Sequence, residues 1–213
     1  MKAVRIHSHG GLDVLKYDSL DEPICNPNKI KIKIKAAALN HLDIWVRNGL
    51  PGIKIPLPLI MGSDGSGEIV EIGKDINKFN LGDKVVVQPG TFPDNCKFVK
   101  EKKENFSKYY GILGETENGI QSEYVTLSPK NIHLMSNHLS FEESASMQLV
   151  FMTSYQMLVK RAKLKETMDR MLISFIMETL DRKATQYDER GFQQQAKKIR
   201  DFKKEVRKFG GTL

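Results

Sequence analysis

Between residues 29 and 35 the chain alternates without a break: Lys29-Ile30-Lys31-Ile32-Lys33-Ile34-Lys35. Successive side chains of an extended strand point to opposite faces, so this spacing predicts a half-buried strand, isoleucines inward and lysines in water. Gly67-Glu68-Ile69-Val70-Glu71-Ile72 alternates and stops at Gly73, while Lys84-Val85-Val86-Val87-Gln88 follows the turn Leu81-Gly82-Asp83 and stops at Pro89-Gly90. Short strands punctuated by Gly, Pro, Asn and Asp fill residues 1–130, a pattern for an antiparallel barrel or sandwich and not for a layered parallel sheet. A two-turn helix fits His41 to Asn48, with Asn40 placed to accept its first free amide and Gly49 to close it in the left-handed conformation. Ser140-Phe141-Glu142-Glu143 is a Ser-x-x-Glu capping box, predicting a second helix that continues through Leu149, Tyr155 and Leu158.

Beyond Glu166 the pattern changes. Met168, Met171, Leu172, Phe175, Ile176 and Leu180 fall at helical spacing, as do Phe192, Ala196, Ile199, Val206 and Phe209. Two amphipathic helices joined across residues 181–191 follow, most simply as an αα-hairpin. The expected organisation is a β domain over residues 1–130, a linking segment with its helix over 131–165, and a helical tail over 166–213. The linking helix carries Met147, Leu149, Val150, Phe151, Met152 and Tyr155, and Met168 to Leu180 is expected to cover that apolar surface.

Charge alters this picture little. The formal net charge is +7, and the lysine row accounts for part of it as a solvated strand face. Nucleic-acid binding through that row is disfavoured, because no aromatic residues interleave with the lysines to stack bases. The second tail helix, with Lys197, Lys198, Arg200, Lys203, Lys204, Arg207 and Lys208, reads as a solvated face or as a contact for an acidic partner or nucleic acid. No apolar run approaches the ~20 residues of a membrane helix and the N-terminus lacks an apolar leader core, so no membrane association and a cytoplasmic location are expected. Cys25 and Cys96 make at most one pair and are expected to be reduced thiols.

Five segments occur in one order: Leu39-Asn40-His41-Leu42-Asp43, Gly62-Ser63-Asp64-Gly65-Ser66-Gly67, Val70-Glu71-Ile72-Gly73, Gly82-Asp83-Lys84-Val85 and Ser140-Phe141-Glu142-Glu143. With them, residues 1–165 resemble the catalytic domain of the medium-chain dehydrogenase/reductase family, of alcohol dehydrogenase and quinone oxidoreductase type. The resemblance implies a mainly β fold with α: a GroES-like, partly open β-barrel with linking helices, here followed by the short helical tail. It also implies NAD(P)-dependent hydride transfer to or from a small-molecule carbonyl, alcohol, quinone or activated double bond. A dinucleotide-binding unit needs a G-x-G-x-x-G turn whose backbone amides reach the pyrophosphate. After Thr167 the glycines are Gly191, Gly210 and Gly211, which do not form one. NAD(P) binding by this chain alone is therefore doubtful. The sequence reads as the substrate half of such an enzyme, truncated or fused and poorly active alone, or completed by a nucleotide-domain partner or a homo-oligomer. The alternative is a non-enzymatic interaction module using the barrel and the basic tail.

Catalytic zinc needs three ligands of the Cys, His or carboxylate type with one position open. The resemblance places those positions at Asn40, Ser63 with Asp64 beside it, and Leu149, of which only Asp64 ligates zinc. A structural zinc lobe would use Pro93, Cys96, Val99 and Ser107, where one thiol remains. No metal is expected. In the zinc-independent manner, Asn40 is the first candidate to polarise the substrate oxygen, beside its place as helix N-cap. Asp43 is expected to orient neighbours or to lie on the surface. Asp64 is a candidate acid or base, or a turn carboxylate bonded to its own backbone. The resemblance places His41 against the cofactor pyrophosphate and Thr153 against the nicotinamide; read plainly, His41 is an exposed helix residue and Thr153 bonds back to a carbonyl one turn earlier. Trp45 lines the substrate cleft or belongs to the core.

Overall fold

The lysine-isoleucine row forms the central strand of the molecule. In the computed structural model, which describes residues 1–93, 97–101, 103–163 and the single positions 185, 193, 197, 200 and 201, it lies within β3 (Ile30–Ala38). Ile30 and Ile32 are fully buried, and Lys33 and Lys35 are exposed. Lys31 pairs with Glu22 at 2.8 Å and Lys35 with Glu68 at 3.5 Å, while Lys31 and Lys33 both lie over the Tyr124 ring.

The strands in chain order are β1 (Lys2–Ile6), β2 (Leu15–Ser19), β3, β4 (Leu59–Ile60), β5 (Asp64–Ile72), β6 (Lys84–Val87), β7 (Gly90–Thr91), β8 (Gly111–Ile112), β9 (Tyr124–Leu127) and β10 (Ile132–Leu134). They form a five-stranded sheet in the order β10-β6-β5-β3-β9, a three-stranded sheet β2-β1-β4 and the pair β7-β8, each antiparallel throughout. The sheets do not close on one another, which is the partly open arrangement expected. The α-helices whose bounds are described are α1 (His41–Asn48), α2 (Lys97–Lys100), α3 (Phe141–Ala145) and α4 (Gln148–Tyr155).

Two apolar clusters hold these elements. One gathers Ile30, Ile32, Ile69, Val85, Val87, Ile120 and Ile132 under the large sheet. The other packs Val46 of α1 against Ile6, Ile55, Leu59 and Met61. Val46 is thus the anchor that fixes α1 to β1 and β4. Gly49 closes α1 with φ 91°, donating its N–H to the Val46 carbonyl. α3 is tied to β5 by Ser66, whose hydroxyl donates to the Phe141 carbonyl at 2.6 Å.

The second helix is not continuous. Its capping box forms, with Ser140 Oγ accepting from Glu143 N–H and Glu143 Oε2 accepting from Ser140 N–H, but α3 stops at Ala145 and α4 starts at Gln148. A continuous helix would send the Leu149 N–H to the Ala145 carbonyl; here that N–H goes to the Asp64 carboxylate. After Tyr155 the chain runs through a π-helical stretch, Gln156–Arg161. The chain divides into two compact units, Met1–Thr153 and Ser154–Leu213. In the second, Thr185, Gln193, Lys197, Arg200 and Asp201 are helical and exposed. The hairpin of the tail, the packing of Met168 to Leu180 and the state of Cys96 lie outside the described residues. Cys25 is a free, half-buried thiol. Among the described residues no helix is long and apolar enough to cross a membrane.

Candidate functional site

Register decides which polar residues meet. β3 runs antiparallel to β5 with Ala38 opposite Asp64, so the chain leaving β3 carries Asn40 to the Asp64 carboxylate although 24 residues separate them. Asn40 Nδ2 donates to Asp64 Oδ2 at 3.1 Å. The Leu149 N–H donates to the same carboxylate, 3.1 Å from Oδ1 and 3.2 Å from Oδ2. On the other side Asp43 Oδ2 accepts from the Asn40 backbone N–H at 2.6 Å. One asparagine is held between two carboxylates.

Three expectations change here. Asn40 is the N-cap of α1 with extended dihedrals and forms a capping box with Asp43, but its part is not capping alone: its backbone carbonyl accepts the Asp43 N–H while the side-chain NH2 turns to Asp64. Asp64 is not a turn carboxylate serving its own backbone. It is 1% exposed, and its partners come from distant parts of the chain. Asp43 is 7% exposed, so the surface reading fails, and its Oδ2 is bonded to the Asn40 N–H.

Burial pushes both carboxyls above the ordinary aspartate range. For Asp43 the N–H groups of Asn40 and Gly62 only partly offset it, and Oδ1 is buried with no hydrogen bond of normal geometry. For Asp64 burial again dominates, the Asn40 and Leu149 donors pull the other way, and the negative charge of Asp43 raises it further. Each donor stabilises the charged form, but two like charges in one desolvated corner work against full ionisation.

Asn40, His41 and Asp43 line a cleft of about 430 Å³ that is otherwise mainly apolar, with Val4, Met61 and Gln121 opposite. A larger polar cleft of about 640 Å³, bordered by Thr91, Phe92, Tyr109 and Tyr124, contains none of these groups. The smaller one, with convergent polar residues in an apolar wall, is the better candidate for ligand binding. Gln121 and Met61 carry no local motif and were missed; only the fold brings them to α1.

His41 is exposed and meets Trp45 edge-on, ring centroids 4.9 Å apart. Trp45 is 50% exposed and does not border the cleft, so neither the core nor the cleft reading holds. The short α1 buries one narrow stripe, Val46 with Asp43, and Trp45 falls outside it. Thr153 is exposed on α4 and donates to the Leu149 carbonyl at 2.8 Å, the bond of the plain reading.

The residues present do not suit zinc. Ser63 is fully buried and its hydroxyl is committed to the Leu113 carbonyl. Asn40 and Leu149 offer no anionic or imidazole ligand. In the lobe, Pro93 is exposed, Val99 half-buried and Ser107 buried, and Cys96 lies outside the described residues. Among the described residues no three His, Cys, Asp or Glu side chains converge as a metal-holding group.

Comparison with known proteins bears on the whole arrangement. The alcohol dehydrogenase GroES-like domain family matches residues 26–137. A zinc-type alcohol dehydrogenase-like protein of Schizosaccharomyces pombe is 32% identical over 146 residues, covering 68% of this chain and 40% of that protein. A solved NAD-dependent alcohol dehydrogenase superposes with a TM-score of 0.73 at 40% identity, over 76% of this chain and 47% of that one. The quinone oxidoreductase from Coxiella burnetii gives 0.62 at 32% identity, over 78% and 46%. The chain spans less than half the length of these relatives.

Proposed function

The chain belongs to the alcohol dehydrogenase GroES-like domain family, and on that premise we propose that it is the substrate half of a zinc-independent, NAD(P)-dependent oxidoreductase. The observation that carries this reading is Asn40 at the edge of a mainly apolar cleft, its side-chain amide donating to Asp64 and its backbone N–H to Asp43. An amide fixed in this way offers a hydrogen bond to a substrate carbonyl or hydroxyl without titrating, and its preorganisation makes it effective as charge develops on that oxygen. The apolar wall favours a small carbonyl compound, alcohol or quinone. NAD(P), when bound, supplies or removes the hydride. His41 and Thr153, both exposed, are the residues of this chain that would face it.

The organisation we propose is a substrate domain over 1–130, a linking segment over 131–165 and a tail over 166–213. No glycine fingerprint follows Thr153, so these residues supply little of the pyrophosphate site, and the chain is expected to be poorly active alone. Nuclear magnetic resonance titration of the full chain tests the proposal. Duroquinone or benzyl alcohol should shift the side-chain amides of Asn40 and Gln121, whereas NADH and NADPH should bind no better than about millimolar. Absence of any shift at the cleft would refute the substrate site. Micromolar nucleotide binding would show that the cofactor site lies within this chain.

A further inference from the structure

Asp64 holds more than Asn40. α4 has no buried residue, so core packing does not explain how its start is held. A helix start leaves its first N–H groups without intrahelical acceptors, and an anion there is favoured by the helix dipole. The N–H of Leu149, in the first turn of α4, finds that acceptor in the Asp64 carboxylate, 85 residues away in sequence and essentially without access to solvent. The same carboxylate accepts from Asn40 at the start of α1. One turn further along α4, Thr153 donates to the Leu149 carbonyl. An unbroken path of hydrogen bonds therefore runs from Asn40 through Asp64 and Leu149 to Thr153.

We propose that Asp64 is a positioning residue, a joint that fixes the Asn40 amide and the start of α4 relative to each other, so that a change at either is felt at the other. Asp64 is thus assigned no proton transfer of its own. The significance for catalysis rests on the oxidoreductase reading above, with Asn40 on the substrate side and Thr153 on the cofactor side. The joint itself does not depend on that reading. A carboxylate is suited to the task because it accepts several hydrogen bonds at once and its bonds to N–H donors are charge-assisted. The charged group facing it is Asp43 of α1; the other polar contacts come from Asn40 and the α4 backbone.

Amide hydrogen exchange on the isotope-labelled full chain, without substrate or cofactor, tests the joint. Asp64→Asn should speed exchange at Leu149 by about tenfold or more, and Asn40→Ala, which leaves Asp64 in place, by about threefold or more, while Ile32 in β3 keeps its protection. In the unsubstituted chain the Leu149 amide proton should shift with pH as Asp64 titrates. That step should vanish in Asp64→Asn and move to lower pH in Asp43→Asn, changes a purely structural substitution would not produce. If Asp64→Asn fails to fold, Asn40→Ala decides alone. Leu149 exchange changed less than threefold by Asn40→Ala would overturn the proposal. Because no ligand is present, that failure is distinct from failure of the duroquinone titration.

Discussion

Gly119→Ala is expected to lower stability by about 3 kcal/mol or more, at the upper end of what overpacking costs. A Cβ at Gly119 would sit 2.1 Å from the Gly62 carbonyl oxygen and 2.5 Å from that of Met61. Both are backbone atoms, so no side chain can rotate away. The two chain segments must separate at that point. The approach is close because Gly119 N–H donates to the Ile60 carbonyl and Gln121 N–H to that of Met61, zipping this segment to the stretch that leads into Ser63 and Asp64. The damage should therefore reach the carboxylate site. For a chain of this size the cost corresponds to a fall in Tm of roughly 6–12 °C, readable by calorimetry. Gly52→Ala is the control: Gly52 has a positive φ of 79°, which Gly119 lacks, but nothing lies within 4 Å of its Cβ, so it should show only the smaller backbone cost. Equal effects of the two would mean that the Gly119 contact is not as described.

Asn40→Asp should be as damaging, for an electrostatic reason. It replaces the side-chain donor to Asp64 with a third carboxylate, about 3 Å from the Asp64 oxygen by the Asn40 geometry. Like charges at that separation repel by about 5 kcal/mol even at an effective dielectric constant near 20, before the lost hydrogen bond is counted. The sign with pH follows. Asp43 and Asp64 already bind protons more tightly folded than unfolded, their ordinary value being 3.8. Between that value and their raised folded values, stability falls as pH rises, and the full cost is present above them. Asn40→Asp adds a third group of the same kind and should steepen that fall. Denaturant titrations across acid to neutral pH should find the variant near normal in acid and strongly destabilised at neutrality. A deficit that persists unchanged in acid would assign the damage to packing.

How far the sequence reveals these features depends on the distance over which each is encoded. The β3 alternation, the span of α1 and the closing Gly49 are local patterns, and each appears where its periodicity or turn chemistry places it. The resemblance brought Asn40, Asp43 and Asp64 forward as candidates, but not their connections. Asp64 meets Asn40 because of a register between strands, and it meets Leu149 through a backbone N–H, which every residue except proline has and no motif marks. The interrupted second helix has the same origin: the capping box is local, whereas the acceptor that diverts the Leu149 N–H lies 85 residues earlier. Trp45 shows the limit of residue type as a guide, since helix phase and not hydrophobicity decides that it is exposed.

On the proposed reading the Asn40 amide, held by the Asp64 carboxylate, and not a metal ion, organises this site. Metal analysis of the full chain, equilibrated with micromolar zinc and then dialysed, tests it most directly. With Asn40 and Leu149 unable to ligate and Ser63 committed elsewhere, the account predicts zinc below roughly a tenth of an equivalent per chain, because one carboxylate does not make a tetrahedral site. Zinc retained at about one equivalent per chain, and lost on Asp64→Asn, would contradict it.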